Sequence, residues 1–399
     1  MRQTWRWFGE HDAVGLSDIR QAGADGVVTA LHHVPPGHAW TAQEIGLRQS
    51  QIARGSNGAL TWDVVESLPV SEAIKTKSRN CSAHTQSYLA SMEALADAGI
   101  ATICYNFMPI LDWTRTHLRW RLPNGGTAMR FDLSSFVAFD CFILERHGAA
   151  DDYDADNLAV ARQVMAEMTD PEKLALQQAV TAGLPGAAES WTLDELREAL
   201  HSYSQLSSEV LRQNHIDFLS EVVPTAERLG LRLCCHPDDP PFSLLGLPRT
   251  MSSGDDYAAV LDVVDSPSAG MTFCSGSLGA SPDNDCAEIA RHFGPKIHFA
   301  HLRNVTCEDE TIPCSFFEDE HLAGQVDMVG VIDALLCEEK RRRDVGREDA
   351  VIPMRPDHGQ EILSDLSVDG QPGYPAVGRL KGLAEIRGVV AGLERQVPS

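Results

Sequence analysis

Basic residues are scarce in this 399-residue sequence, which has 33 Lys and Arg against 57 Asp and Glu. The formal net charge of -24 repels phosphate backbones and anionic lipid surfaces. The charge balance therefore argues against nucleic acid as a partner, and we expect none.

Long apolar runs are also missing. No segment approaches the roughly 20 apolar residues of a membrane span, and the opening residues MRQTWRWFGEHD lack the apolar core of a secretory signal. The ten cysteines are scattered through a long chain, which favours free thiols over a disulfide framework. These absences predict a cytoplasmic protein with no membrane partner.

Short apolar runs of the kind found in buried parallel strands recur along the chain. Eight such runs can be placed, at residues 4–9, 26–33, 61–67, 101–108, 231–239, 270–277, 297–304 and 351–359. Segments with helical spacing separate them, and two of these begin with capping-box pairs, Thr41 with Glu44 and Thr192 with Glu195. The alternation predicts an α/β fold, the (β/α)8 TIM barrel. A doubly wound sheet is the rival, but no Gly-x-Gly-x-x-Gly loop follows any strand.

The interval between the fourth and fifth strands is much longer than one helix requires. Two segments within it look helical, DPEKLALQQAV and WTLDELREALHSYSQLSSEVLRQNHIDFLSEVV. We expect a mostly α-helical insertion between strands 4 and 5, at about residues 115–205, with the barrel's own helix ending before Gly230. Residues 1–399 are accordingly interpreted as a single catalytic domain that contains this insertion.

The last four predicted strands end in residues that bind metals. Functional side chains of a TIM barrel follow the C-terminal ends of its strands, and here these are His236, Cys274, His301 and Asp357. A structural role is the ordinary interpretation of any one of them, but their joint placement at four successive strand ends favours a divalent transition-metal site. The thiolate favours Zn²⁺ or Fe²⁺, and the carboxylate suits Mn²⁺ equally well.

Other polar residues near the strand ends are candidates for substrate binding. Arg303 and Arg355 flank the predicted metal site and Arg6 lies on the first strand, where guanidinium groups bind a carboxylate or pair with internal acids. Glu66 and Asn106 end strands 3 and 4, where each could hydrogen-bond a polyol or cap a loop.

Two further candidates lie near the ends of strands 2 and 8. His32 and His33 end the second strand, and at most one of these rings can face the cavity because strand side chains alternate. Tyr374 follows the eighth strand, from which it could fold over the mouth of the barrel.

At these motifs the sequence resembles the mannonate dehydratase family, whose members have a xylose-isomerase-like barrel. The resemblance runs over nearly the full length, through MRQTWRWFG, GVVTALHH, CYNFMPILDWTRT, HPDDPP, GLPR, HLR, MRPDHG and GRLKGLAEIRG. Words as long as YNFMP, DWTRT and RPDHG make it highly specific.

The resemblance implies a hydro-lyase that converts D-mannonate to 2-keto-3-deoxy-D-gluconate with Mn²⁺ or Fe²⁺ as cofactor. It implies metal ligands at the four strand-end residues named above, acid/base roles for His358 and Tyr374, and a homo-oligomer, dimer or larger. We expect His358 to be the base, since imidazole titrates near neutrality, and Tyr374 the acid, although the two roles could be exchanged.

Two alternatives remain at the level of the sequence. A sugar or sugar-acid isomerase or epimerase would use the same barrel and the same proton abstraction beside a metal-polarised oxygen. A noncatalytic sugar-acid-binding protein would keep the metal site and lose turnover. The intact His358 and Tyr374 favour an enzyme.

Overall fold

The computed structural model describes residues 1–182 and 191–396; residues 183–190, inside the predicted insertion, and 397–399 lie outside the described part. The strands described are β1 (Arg2–Arg6), β2 (Gly26–Thr29), β3 (Thr61–Glu66), β4 (Thr102–Tyr105), β5 (His117–Arg121), β6 (Thr127–Phe131), β7 (Arg232–Cys235), β8 (Ala269–Cys274), β9 (Ile297–His301), β10 (Asn304–Cys307), β11 (Phe316–Asp319) and β12 (Pro353–Arg355). The α-helices described are α1 (Leu16–Gln21), α2 (Ala42–Gly55), α3 (Glu72–Lys75), α4 (Cys81–Asp97), α5 (Leu133–Ala138), α6 (Ala155–Glu167), α7 (Asp170–Thr181), α8 (Leu193–His201), α9 (Ser208–Leu229), α10 (Gly254–Leu261), α11 (Ser275–Gly279), α12 (Cys286–Phe293), α13 (Met328–Asp344) and α14 (Ala376–Gln396).

Eight of these described strands form a closed barrel in the order β1-β12-β9-β8-β7-β4-β3-β2. All neighbours are parallel, and β1 pairs with both β2 and β12, which closes the sheet. The predicted (β/α)8 barrel is therefore confirmed, and each predicted run overlaps one barrel strand. The runs extended too far, because their polar tails belong to the loops that follow. β7, for example, ends at Cys235, before the HPDD segment.

Alternation along the strands separates two buried layers. Cys234 belongs to the barrel interior, whereas its neighbour Cys235 packs in the larger core between the barrel and its helices. The interior layer is small and is built from Val28, Val64, Cys104, Cys234 and Phe299.

The predicted helix boundaries follow from local chemistry. α2 begins after Thr41, whose hydroxyl accepts the backbone N–H of Glu44 at 3.2 Å. α9 ends at Leu229, and the next residue, Gly230, has a φ of 68°, in the left-handed region that glycine enters without steric cost. The barrel helix therefore ends where the sequence predicted. Among the described helices, none combines the length and the apolar character needed to cross a membrane.

In its described part the predicted insertion is mostly helical from Leu133 onward, but it begins with a β-hairpin of β5 and β6 that the sequence analysis missed. This hairpin pairs with a second one, β10 and β11, to form an antiparallel four-stranded sheet in the order β10-β11-β6-β5. Thr127 of β6 also bridges to Glu361, just after β12, so the small sheet lies beside the C-terminal ends of the barrel strands. β5 (HLRWR) and β11 (FFED) mix charged residues with apolar ones, so they lack the continuous apolar run by which the buried barrel strands are found.

Candidate metal centre and active-site cavity

A cavity lies at the C-terminal ends of the barrel strands. Parallel strands carry their loops to this one face, which explains why residues distant in sequence meet there. Most of the sequence-predicted site residues line it: Arg6, Glu66, Asn106, His236, Arg303, Arg355, Asp357, His358 and Tyr374.

The remaining predicted residues lie outside the cavity lining. Cys274 and His301 are fully buried at the ends of β8 and β9, next to the cavity residue His236. His32 Nε2 lies 3.5 Å from Arg6 Nη2. His32 is on the turn after β2, which ends at Thr29, and does not line the cavity. Its assignment to substrate binding stays a prediction. His33 is on the surface, 3.2 Å from Glu44.

The predicted ligands His236, Cys274 and His301 converge. One donor atom from each lies within 4.8 Å of the other two, and His236 Nε2 is 3.2 Å from His301 Nδ1. They come from three adjacent barrel strands, with His236 directly after β7 and the other two ending β8 and β9. Two imidazole nitrogens and a thiol at this spacing form a donor set that suits a divalent transition metal.

The far side of the His236 imidazole is held by a hydrogen bond. His236 Nδ1 lies 2.7 Å from the carbonyl oxygen of Pro237, to which it donates, so the lone pair of Nε2 faces the centre. Outer hydrogen-bonding partners of this type orient metal-binding histidines. His301 Nε2 lies 3.4 Å from a carboxylate oxygen of Glu66 but makes no hydrogen bond among the described residues. The chemistry of the three donors and the orientation of His236 therefore fit a metal.

Asp357 is the fourth predicted ligand and lies at the edge of this cluster. Its Oδ2 is 3.7 Å from Cys274 Sγ and its Oδ1 is 3.9 Å from His301 Nδ1. Its carboxylate also contacts Arg355, and Arg303 Nη1 lies 3.3 Å from it. Burial opposes ionisation of Asp357, but the adjacent cations hold its pKa well below the ordinary value. Asp357 is therefore an ionised ligand candidate.

Asp357 and His358 both face the cavity although they are adjacent in sequence. β12 ends at Arg355, and Asp357 has a φ of 61°, in the left-handed region that Asp tolerates better than most residues. This turn replaces the alternation of a strand. Both residues therefore lie on the loop after β12.

His358 and Tyr374 form a hydrogen-bonded pair on the cavity wall. His358 Nε2 is 3.0 Å from the Tyr374 hydroxyl, and the rings meet edge to face with centroids 4.7 Å apart. Burial raises the pKa of Tyr374 to about 12, so the phenol is protonated at neutral pH. The pair thus joins a protonated donor to an imidazole, the two groups that acid/base catalysis requires.

The predicted substrate-binding arginines are paired with internal carboxylates. Arg355 donates to both oxygens of Glu66, at 3.0 and 2.7 Å, and Arg6 Nη1 is 3.0 Å from the same carboxylate. Arg303 donates to Asp239 at 2.6 Å. Arg6 and Arg303 each keep a buried Nε without an acceptor among the described residues. The cavity therefore presents a network with positive and negative charge closely balanced.

Glu66 and Asn106 occupy different positions in this network. The Glu66 carboxylate is taken by two arginines and lies beside His301, so it orients cations and offers little to a polyol. Asn106 donates through Nδ2 to Asp112 at 3.3 Å, which leaves its carbonyl oxygen as an acceptor at the cavity.

The charged residues near the site that the sequence analysis missed include Asp112, Arg115, Asp239 and Glu318. Arg115 bridges two of these acids, at 2.7 Å from Asp239 and 2.8 Å from Glu318. Glu318 lies 2.8 Å from Nδ1 of His358. Arg115 and Asp239 lie within the quoted words DWTRT and HPDDPP, whereas the FFED strand of Glu318 carries no comparable signal.

Comparison with known proteins places this site in a family. The family model described as D-mannonate dehydratase (UxuA) matches residues 1–398. The chain belongs to the D-mannonate dehydratase family. It is 54% identical over 389 residues to a mannonate dehydratase of Rhizobium meliloti (strain 1021), covering 98% of this chain and 96% of the relative. Mannonate dehydratase 1 of Agrobacterium fabrum (strain C58) is 55% identical with the same coverage.

Solved structures agree with this family assignment. The crystal structure of mannonate dehydratase from Streptococcus suis serotype2 matches with a TM-score of 0.77 and 29% identity, over 99% of this chain and 95% of that one. A D-tagatose 3-epimerase-like protein matches with a TM-score of 0.52 at 11% identity, which shows a common barrel fold.

Proposed function

We propose that this member of the D-mannonate dehydratase family eliminates water from D-mannonate to give 2-keto-3-deoxy-D-gluconate at the cavity described above. The observation that carries the proposal is the hydrogen bond between His358 and Tyr374 on the wall next to the converging donors of His236, Cys274 and His301. A base and an acid side by side are what an elimination needs.

The proton transfers follow from this pair. His358 Nε2 takes the proton from C2, and Tyr374 gives its phenolic proton to the C3 hydroxyl, which leaves as water. The C2–C3 enol then tautomerises to the 2-keto-3-deoxy acid. At 3.0 Å, the protonated imidazole can return its proton to the phenolate, which restores the starting state of both groups.

The donor set would hold Mn²⁺ or Fe²⁺ through His236, Cys274, His301 and Asp357. When bound, such an ion supplies Lewis acidity for the charge that develops on the substrate oxygens as the C2 proton leaves. Arg6 and Arg303, whose Nε atoms lack acceptors among the described residues, are the guanidinium groups proposed to approach the substrate. Asn106 is proposed to receive a hydroxyl of the polyol.

The whole-chain family match favours dehydration over the isomerase and epimerase alternatives. The likeness to an epimerase-like protein at 11% identity concerns the barrel alone. A homo-oligomer and a cytoplasmic location stay predictions from the sequence.

The test is an assay of metal-stripped protein on several aldonates, with Mn²⁺, Fe²⁺ and Zn²⁺ added back in turn. We expect a 2-keto-3-deoxy acid from D-mannonate with Mn²⁺ or Fe²⁺, because these ions suit the donor set and leave room for substrate oxygens. A product of unchanged formula would support epimerisation instead. Binding of D-mannonate without any product at saturating Mn²⁺ would support a noncatalytic protein.

Tyr374→Phe is expected to lower kcat by about 10²-fold while leaving bound metal unchanged, because it removes only the proposed acid. Turnover and metal per chain measure the two effects separately. Tyr153→Phe is the matched control, since it removes a buried hydroxyl that bonds Asp140 in the insertion at 2.8 Å. Full turnover in Tyr374→Phe would exclude this hydroxyl from the mechanism.

A further inference from the structure

A buried carboxylate on the small antiparallel sheet outside the barrel contacts the His358 imidazole at Nδ1, the ring nitrogen that faces away from Tyr374. Glu318 lies on β11, and its two carboxylate oxygens are 2.9 and 2.8 Å from His358 Nδ1. We propose that Glu318 is a positioning residue that fixes the orientation of His358 for proton transfer. The inference rests on the proposed function, because it assigns a task to Glu318 within that reaction.

The hydrogen bonds on the two sides of the ring are complementary. With the N–H of Nδ1 donated to Glu318, the lone pair of Nε2 faces the Tyr374 hydroxyl 3.0 Å away. An imidazole fixed by a carboxylate on one nitrogen and working through the other is a recurring arrangement in acid/base catalysis. Glu318, His358 and Tyr374 therefore form one hydrogen-bonded chain that ends at the cavity.

A second group competes for the same nitrogen. Arg303 Nη1 lies 3.0 Å from His358 Nδ1 and would donate to it if Nδ1 were unprotonated. Arg303 has other acceptors, since Nη1 is 3.3 Å from Asp357 and Nη2 is 2.6 Å from Asp239. The Nδ1 proton instead has two anionic oxygens at shorter distances, so the contact with Glu318 decides the ring orientation.

Glu318 is held by rigid neighbours. β11 is an inner strand of the small sheet, paired with β10 on one side and β6 on the other. Phe316 of β11 stacks on Phe131 of β6, with centroids 5.7 Å apart and planes 17° apart. A carboxylate on a paired strand keeps its position more accurately than one on a loop.

Glu318 also binds the buried Arg115. Arg115 donates to Glu318 through Nη2 at 2.8 Å and Nε at 3.3 Å, and to Asp239 at 2.7 and 3.2 Å. An amide in place of the Glu318 carboxylate keeps an acceptor oxygen for Arg115, so the contact that the amide changes is the one with the proposed base. Since Glu318 does not line the cavity, its loss should affect turnover more than substrate binding.

The experiment compares Glu318→Gln, Glu318→Asp and Asp319→Asn for kcat, KM, bound metal per chain and Tm with D-mannonate as substrate. Gln matches Glu in size but presents an amide whose N–H group can face Nδ1 and favour the wrong ring tautomer. Asp keeps the charge on a shorter side chain. Asp319 is the next residue along the strand and bonds the Thr306 hydroxyl at 2.7 Å, away from His358, which makes it the matched control.

We expect Glu318→Gln to lower kcat by about 10²–10⁴-fold with KM within about threefold of wild type and full metal content. Glu318→Asp should restore part of the lost kcat, because a charged acceptor remains near Nδ1. Asp319→Asn should behave as wild type. These three results together distinguish a residue that orients the base from one that only stabilises the fold. If Glu318 were purely structural, the charge kept in Glu318→Asp would not restore any of the lost kcat.

The inference is overturned if Glu318→Gln turns over within about threefold of wild type. It is also overturned if both Glu318 variants lose metal or folded protein in proportion to their activity, because that result assigns Glu318 to structure alone. A wild-type protein without activity on D-mannonate would instead contradict the proposed function, so the two failures are separable.

Discussion

Protein carrying Cys274→Ser is expected to bind its divalent metal about 100-fold more weakly, or worse, and to lose about 10³-fold in turnover at limiting metal. The reason is chemical, because a serine hydroxyl stays protonated near neutral pH and is a poor substitute for a thiolate ligand. The change replaces one atom of a fully buried side chain whose Sγ is near the donor atoms of His236 and His301. Metal per chain after dialysis and a metal titration of turnover measure the effect.

The fold should survive this substitution. Cys274 Sγ accepts from the backbone N–H of Ser277 at 3.4 Å, and a serine oxygen can cap the same turn. Cys286→Ser is the matched control, since Cys286 is also buried and its thiol points to the carbonyl of Ser275 at 3.6 Å, where a hydroxyl can donate equally well. Wild-type affinity in Cys274→Ser would remove the thiol from the ligand set.

His358→Gln should also lower turnover strongly, because it removes the proposed base for the C2 proton rather than a metal ligand. Removing a positioned general base costs about 10²–10⁴-fold in kcat, while bound metal should stay at the wild-type level. Solvent exchange of the C2 proton separates this residue from Tyr374. If His358 is the base, its variant loses exchange in D₂O, whereas Tyr374→Phe retains exchange without releasing product.

His33→Gln is a suitable control, because His33 is on the surface and its Nε2 is 3.2 Å from Glu44. If His358→Gln kept C2 exchange and Tyr374→Phe lost it, the two roles would be exchanged and the tyrosine would act as the base. Loss of metal in His358→Gln would instead indicate that the turn at Asp357 had moved.

The convergence of three of the proposed metal ligands was predictable because it depends on a simple rule of the fold. His236, Cys274 and His301 are distant in sequence, but each lies at or just after the end of a parallel strand. Adjacent parallel strands end at the same edge of the barrel, so the alternation of strands and helices was enough to bring these donors together.

The pairing of charges within the cavity was not predictable. The sequence left open whether Arg6 and Arg355 bind a substrate carboxylate or pair with internal acids, and in the structure both bind Glu66. Their side chains approach from different strands, and only the curvature of the closed barrel sets which groups are within hydrogen-bonding reach. For Glu66 a polyol contact and a loop cap were both open for the same reason, since its position at a strand end shows nothing of its neighbours.

The small sheet illustrates the limit most clearly. Its strands come from two separate connections, and the pairing of Phe316 with Phe131 joins residues far apart in the chain. Charged residues interrupt these strands, as in TAMRF and FFED, and leave no continuous apolar run, so neither hairpin nor the carboxylate of Glu318 was foreseen.

The sequence alone was sufficient to predict the barrel and the helical part of the insertion, because both follow from local periodicity. It was also sufficient to predict that three of the proposed metal ligands converge, because adjacent parallel strands end at the same edge of the barrel. The tertiary structure alone revealed the pairing of Glu318 with His358, the bridge of Arg115 to Asp239 and the φ of 61° that turns Asp357 toward the site. Such features depend on contacts between distant segments and on a single backbone angle, neither of which leaves a repeating pattern in a sequence.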